Sequence, residues 1–203
     1  PEPTLSVKKG INRFVWNMRH ATMPGIPTAY LEASYSGHQV IPGTYKLTLK
    51  SENQTTETSV NIKANPLYKI TLADYQEYDA FMKAREAELT EMHHMVNEAM
   101  DYQTQLKSLL ARTKGKEELK ALTEAGNNLQ KSLQAWDEKM IQRKSTAYDD
   151  VENFPNKFTA NYLYMINQTE SSIPKVNKGS KDRYAELWEE WKVLKAEGEK
   201  LLK

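Results

Sequence analysis

The feature that most constrains this chain is a change of hydrophobic period at Ala64-Asn65-Pro66. Before it, apolar residues alternate with polar ones and fall on one face of an extended chain; after it, they recur every three or four residues, as in a helix. Proline is barred from a central strand and biases the residue before it away from helix, so the change is sharp. Two units are therefore predicted, residues 1–65 and 66–203.

In the first unit Phe14, Trp16 and Met18 alternate through Asn12 to Arg19, predicting a strand with one core face. Pro42-Gly43 opens a second run in which Tyr45, Leu47 and Leu49 alternate. A turn around Ser51 to Gln54 then leads to Val60 and Ile62 in Thr55 to Lys63. That is the pattern of a β-hairpin. Met23-Pro24-Gly25-Ile26-Pro27 reads as a loop and Tyr30 to Ser34 as a short edge strand. Three or four strands cannot close a sandwich and a lone hairpin is marginal in water, so this unit must borrow surface.

In the second unit Thr71 and Asp74 have capping-box spacing, Asp replacing the usual Glu or Gln, at the head of a helix reaching about Arg112. Tyr78, Met82, Leu89, Met92, Val96, Ala99, Leu106 and Leu110 form its seam, interrupted by Arg85 and Gln103. Thr113 to Lys116 suits an antiparallel connection, and Leu119, Leu122, Leu129, Leu133, Trp136 and Met140 give a second helix a matching seam. A short helix carrying Phe158, Tyr162, Met165 and Ile166 follows. After a loop from Ser172 to Gly179, Ser180 can cap a last helix with Tyr184, Leu187, Trp188, Trp191 and Leu194 on one face. The fold class predicted is α+β: a small immunoglobulin-like β-sandwich lacking its first strands, then an antiparallel bundle of three to four helices.

Chemistry is sparse in this sequence. Lys plus Arg is 28 against 27 for Asp plus Glu, so no net field draws the chain to nucleic acid. There is no cysteine and no apolar run of the roughly 20 residues that span a bilayer. The histidines are His20, His38, His93 and His94. Glu91 and His94 make one Glu-x-x-His on a helix, but the di-iron bundles that use this spacing need it twice, so no metal or cofactor is expected. No nucleophile elbow or phosphate loop occurs, and the doublets Asp149-Asp150 and Glu189-Glu190 point apart on a helix; no catalytic residue is assigned. Tyr184, Trp188 and Trp191 are candidates for a glycan or protein platform, although their spacing equally suits a core stripe.

Gly10-Ile11-Asn12-Arg13-Phe14-Val15-Trp16-Asn17-Met18-Arg19 with Ile41-Pro42-Gly43-Thr44-Tyr45 resembles the paired motifs of immunoglobulin-like modules related to that of the flagellar hook-capping protein. Together with the helical tail, including Arg183 to Leu187 and Trp188-Glu189-Glu190-Trp191, the chain resembles the C-terminal region of exported bacterial proteins with a sortilin-like, Asp-box β-propeller. The resemblance implies structural roles for Trp16, in a sandwich core, and for Pro42, Gly43 and Tyr45. It implies export, the propeller as partner, and a ligand or glycosidase-like centre located in the propeller. No Asp-box occurs here, so no family site is carried over. Pro1-Glu2-Pro3-Thr4 lacks an initiator Met and a signal-peptide pattern, and the chain is expected to be part of a longer precursor. An apolar face left open on the sandwich would favour self-association.

Overall fold

The computed structural model describes residues 5–51, 53–170 and 173–203. Pro1 to Thr4, Glu52 in the expected turn and Ser172 in the expected loop lie outside the described residues. The architecture is α+β. Strands β1 (Gly43–Ser51) and β2 (Gln54–Ile62) precede helices α1 (Leu72–Thr113), α2 (Lys120–Met140), α3 (Phe158–Glu170) and α4 (Lys178–Leu201). Short 3-10 turns at Glu117–Leu119 and Tyr148–Glu152 link the helices.

The cap on α1 follows from the sequence. Thr71 Oγ1 accepts from the Asp74 N–H at 3.2 Å, and Asp74 Oδ2 accepts from the Thr71 N–H at 3.0 Å, satisfying two donors that a helix start leaves open. Forty-two residues make α1 a rod of roughly 63 Å. Its seam holds: Tyr78, Met82, Leu89, Met92, Val96 and Ala99 are buried. The two interruptions are used as contacts. The Arg85 guanidinium lies 3.6 Å from the centroid of Tyr184 on α4, and Gln103 faces Gln130 on α2. Gly115, at φ +78°, takes the left-handed turn after α1 that other residues adopt at a cost.

On α2 the seam departs from expectation. Leu133, Trp136 and Met140 are buried, but Leu122 and Leu129 are exposed, and Gly126 is the residue facing α1 there, against Leu106 and Leu110. Without a side chain Gly126 lets the two helices approach closely, which rotates its leucine neighbours outward. At α4 the cap is Asn177 rather than Ser180: Asn177 Oδ1 accepts from the Ser180 N–H at 2.8 Å. Phe158, Tyr162, Leu163, Met165 and Ile166 of α3 complete the core with Leu187, Trp191 and Leu194 of α4.

The predicted sandwich is not what the described residues form. β1 and β2 make a two-stranded antiparallel sheet, pairing Tyr45 with Val60 and Leu47 with Thr58, and neither outer edge is paired. The stretch from Asn12 to Asn17 is not a strand, and Phe14 and Met18 are about half exposed. Trp16 does not fill a sandwich core; it is half-buried against the Tyr45 ring at 5.5 Å between centroids. Alternation at 12–19 thus signals a face that needs a cover, without supplying the cover. Tyr30 to Ser34 is no edge strand either. Asn167 on α3 accepts from the Ser34 N–H at 2.7 Å and donates to the Ser34 carbonyl at 3.0 Å, so a side-chain amide takes the place of a neighbouring strand.

Residues 18–40 instead form an irregular antiparallel loop laid on the bundle. The Val40 N–H donates to the Met18 carbonyl at 2.9 Å, His20 to His38 at 3.0 Å, and Met23 to Tyr35 at 2.8 Å. Met23 and Ile26 join the helical core. The change of period at Pro66 therefore marks a change of local structure, while the core runs across it.

Candidate functional site

Two features stand out. The first is the hairpin face. Residues opposite one another across an antiparallel pair share a face, so Tyr45, Leu47, Leu49, Val60 and Ile62 lie together, while Thr44, Lys46, Thr48, Lys50, Glu57 and Ser59 occupy the other. Leu47 is 42% exposed, Leu49 55% and Val60 37%. Only Gly43, Tyr45 and Ile62, at the base, are partly buried among the described hairpin residues. Tyr45 fixes that base by donating its hydroxyl to the Ile41 carbonyl at 2.6 Å. One face of the sheet thus holds the apolar side chains, interrupted by Thr56 and Thr58 opposite Leu49 and Leu47, and among the described residues no strand pairs with either edge.

The second feature sits where the loop meets α1. The Arg19–Gln39 bridge makes His20 and His38 the next cross-strand pair, and their rings stack at 4.3 Å. Gly37 permits this approach: a Cβ there would fall 2.5 Å from the Ala21 carbonyl oxygen and 2.7 Å from backbone atoms of His20. Both imidazoles turn toward Asp79 on α1. Asp79 Oδ1 is 3.4 Å from His20 Nε2 and 3.2 Å from His38 Nε2. Two turns further along α1, Glu86 Oε1 lies 2.9 Å from His38 Nδ1 and accepts from the His38 backbone N–H at 2.8 Å. Lys83 pairs with the other Asp79 oxygen at 2.7 Å.

The charges here follow from burial and neighbours. Burial pulls the Asp79 carboxyl upward, but hydrogen bonds from Lys83 and His38 outweigh it and hold the group below its ordinary value. His20 is lowered, by burial first and then by His38 and Lys83, against the opposing pull of Asp79 and Glu86. It is a neutral imidazole at neutral pH. Arg19 anchors the loop from the other side, reaching both Glu170 oxygens at 2.7 and 2.9 Å and the Gly37 carbonyl at 2.9 Å.

The residues singled out from sequence lie elsewhere. Trp191 is fully buried, stacked on Phe158 at 5.9 Å, so it is core and offers no platform. Tyr184 and Trp188 are half-buried, and Tyr184 is engaged by Phe81 and Arg85 of α1. Glu91 pairs with Lys195 at 2.5 Å, and His94 is exposed; among the described residues the two do not belong to a group of three potential metal ligands. Pro42 and Gly43 stand at the start of β1 as expected. The His20, His38, Asp79 and Glu86 cluster was not visible in the sequence, because its members are up to 66 residues apart and follow no metal-ligand spacing. Gly37 beside His38 is the one local signal. No helix among the described residues is long and apolar enough to cross a membrane. No protein-family model, curated protein or solved structure matches the chain.

Proposed function

We propose that this chain is a non-catalytic interaction module of an exported protein, and that the open face of β1–β2 docks on β-structure of that same protein. The observation that supports this most is the row Leu47, Leu49 and Val60, solvent-exposed on a sheet whose opposite face is polar and whose edges pair with no other strand among the described residues. Apolar side chains arranged on one face of an unpaired hairpin are the pattern of half a sandwich, and burying them gives the driving force for docking. The partner is the β-propeller of the sortilin-like, Asp-box proteins that the Trp16 and Pro42-Gly43-Thr44-Tyr45 motifs resemble, with added strands completing an immunoglobulin-like sandwich. The helical bundle holds the hairpin outward through residues 18–40.

Hydrogen exchange on this chain and on the full-length gene product tests the proposal. Strand amides between Thr44 and Asn61 are expected to gain protection in the longer protein, and Leu47→Lys with Leu49→Lys to remove that gain while leaving the bundle's melting unchanged. Equal exchange rates in the two proteins, or a gene product with no propeller, would overturn it.

A further inference from the structure

We propose that His20, His38 and Asp79 form a binding site for a divalent transition-metal cation of the zinc class, with Glu86 as the carboxylate that orients His38. The three ligand atoms, His20 Nε2, His38 Nε2 and Asp79 Oδ1, all lie within 4.8 Å of one another. Bonds of about 2.0–2.1 Å at tetrahedral angles place ligand atoms about 3.3 Å apart. Asp79 Oδ1 stands 3.4 and 3.2 Å from the two nitrogens, so two edges of such a tetrahedron are already set.

Proton bookkeeping strengthens the case. A carboxylate oxygen accepts, so Glu86 Oε1, 2.9 Å away, takes the Nδ1–H of His38, and Nε2 is the ring nitrogen turned toward Asp79. That is the arrangement in which a metal-bound histidine gives its second N–H to a carboxylate, fixing tautomer and ring orientation. An ion pair with Asp79 would account for His38 alone. It does not account for His20, whose Nε2 is buried without a hydrogen-bond partner although it faces the same oxygen. A cation held among the three atoms would give His20 Nε2 the partner it lacks.

The donor set selects the metal. Two imidazoles and one carboxylate suit zinc and its neighbours, cobalt, nickel and copper, over calcium or magnesium, which prefer oxygen shells. Two carboxylates, Asp79 and Glu86, against the single Lys83 ammonium leave one formal negative charge around the two rings, which favours a dication. Lys83 holds Asp79 Oδ2 and leaves Oδ1 for the metal. Because the ligands come from both sides of the loop and from α1, the ion would fasten residues 18–40 to the bundle.

The test uses the whole chain, stripped with a chelator and dialysed, then titrated with Zn2+ by calorimetry and with Co2+ by visible absorption. One equivalent is expected to bind, with a rise in melting temperature and the absorption of low-coordinate cobalt with nitrogen and oxygen ligands. Losing an orienting carboxylate typically costs 10–100-fold in affinity, so Glu86→Gln should weaken binding by about that factor and His20→Ala by at least about 100-fold. His20 is partly exposed, and His20→Ala should keep the wild-type circular dichroism; if it does not, Asp79→Asn carries the same expectation. His94→Ala should bind as wild type. Absence of stoichiometric binding, undiminished affinity in folded His20→Ala or Asp79→Asn, or loss of binding in His94→Ala would overturn the proposal.

Discussion

Replacing Gly198 by alanine separates a helix-propensity argument from a packing argument. In an exposed helix the change stabilises by about 1 kcal/mol. In this molecule a Cβ at position 198 would fall 2.7 Å from Trp136 Cζ2, 2.9 Å from Trp136 Cε2 and 3.0 Å from Met95 Cε, where carbon atoms prefer about 3.5–4.0 Å. The indole cannot easily retreat. It is fully buried, and its Nε1 donates at 2.8 Å to the carbonyl of Leu194, one turn back on the helix that would carry the new methyl. Overpacking costs about 1–3 kcal/mol, and a pinned ring places this case at the upper end. Subtracting the propensity gain leaves a net loss of about 2 kcal/mol, or a melting temperature lower by about 4–8 °C for a chain of this size.

Gly126→Ala supplies the control, since it gains the same propensity. Its Cβ would meet Leu110 Cδ2 at 2.8 Å and Leu106 Cδ1 at 3.4 Å, the ends of flexible, half-buried side chains that can rotate aside. Its net effect should stay within about 1 kcal/mol of zero. Thermal and urea unfolding of both variants, followed by circular dichroism and tryptophan fluorescence, decide the matter. A Gly198→Ala protein that melts at or above the wild type, or a Gly126→Ala protein that loses more, would refute the reasoning.

Capping gives a second comparison: Asn177→Ala should cost about 1 kcal/mol, lowering the melting temperature by about 2–4 °C, and more than Ser180→Ala, because the Asn177 side chain caps α4. A larger loss in Ser180→Ala would restore Ser180 as the cap. A third concerns acid. His93 is fully buried, and its Nδ1–H donates to the Pro24 carbonyl at 2.7 Å while its Nε2 has no partner. Burial lowers it below the ordinary 6.5, against the pull of that hydrogen bond and aided slightly by His94. The unfolded chain therefore binds the proton first, and the contribution of neutral His93 is complete above pH 6.5 and lost as pH falls through the lowered value. Urea unfolding between neutral pH and pH 5 should show a shallower loss of stability for His93→Gln than for the wild type, and parallel curves would contradict this.

The helical half was legible because its signals are local. A capping box needs two residues three apart, and a seam needs only a period; both are written along the chain at Thr71, Asp74 and the apolar stripe of α1. The errors there were of rotation and cap position. Gly126 and Asn177 are small or polar, carry little weight in a hydrophobic pattern, and yet set where α2 and α4 face or begin. Trp191 shows the same limit from the other side: its spacing suited core and platform alike, and only packing against Phe158 distinguishes them.

The β half was less legible because alternation reports a one-sided surface without naming what covers it. Where the backbone hydrogen bonds of residues 18–40 go explains the outcome. The Ser34 N–H goes to Asn167, that of His38 to Glu86 and that of Gln39 to Glu170, all helix side chains. A loop whose donors are committed to α1 and α3 cannot also serve as third strand to β1 or β2. The same attachment draws His20 and His38 onto Asp79, while the face that carries Leu47, Leu49 and Val60 would need an element packed across it, which a third strand at the edge would not supply.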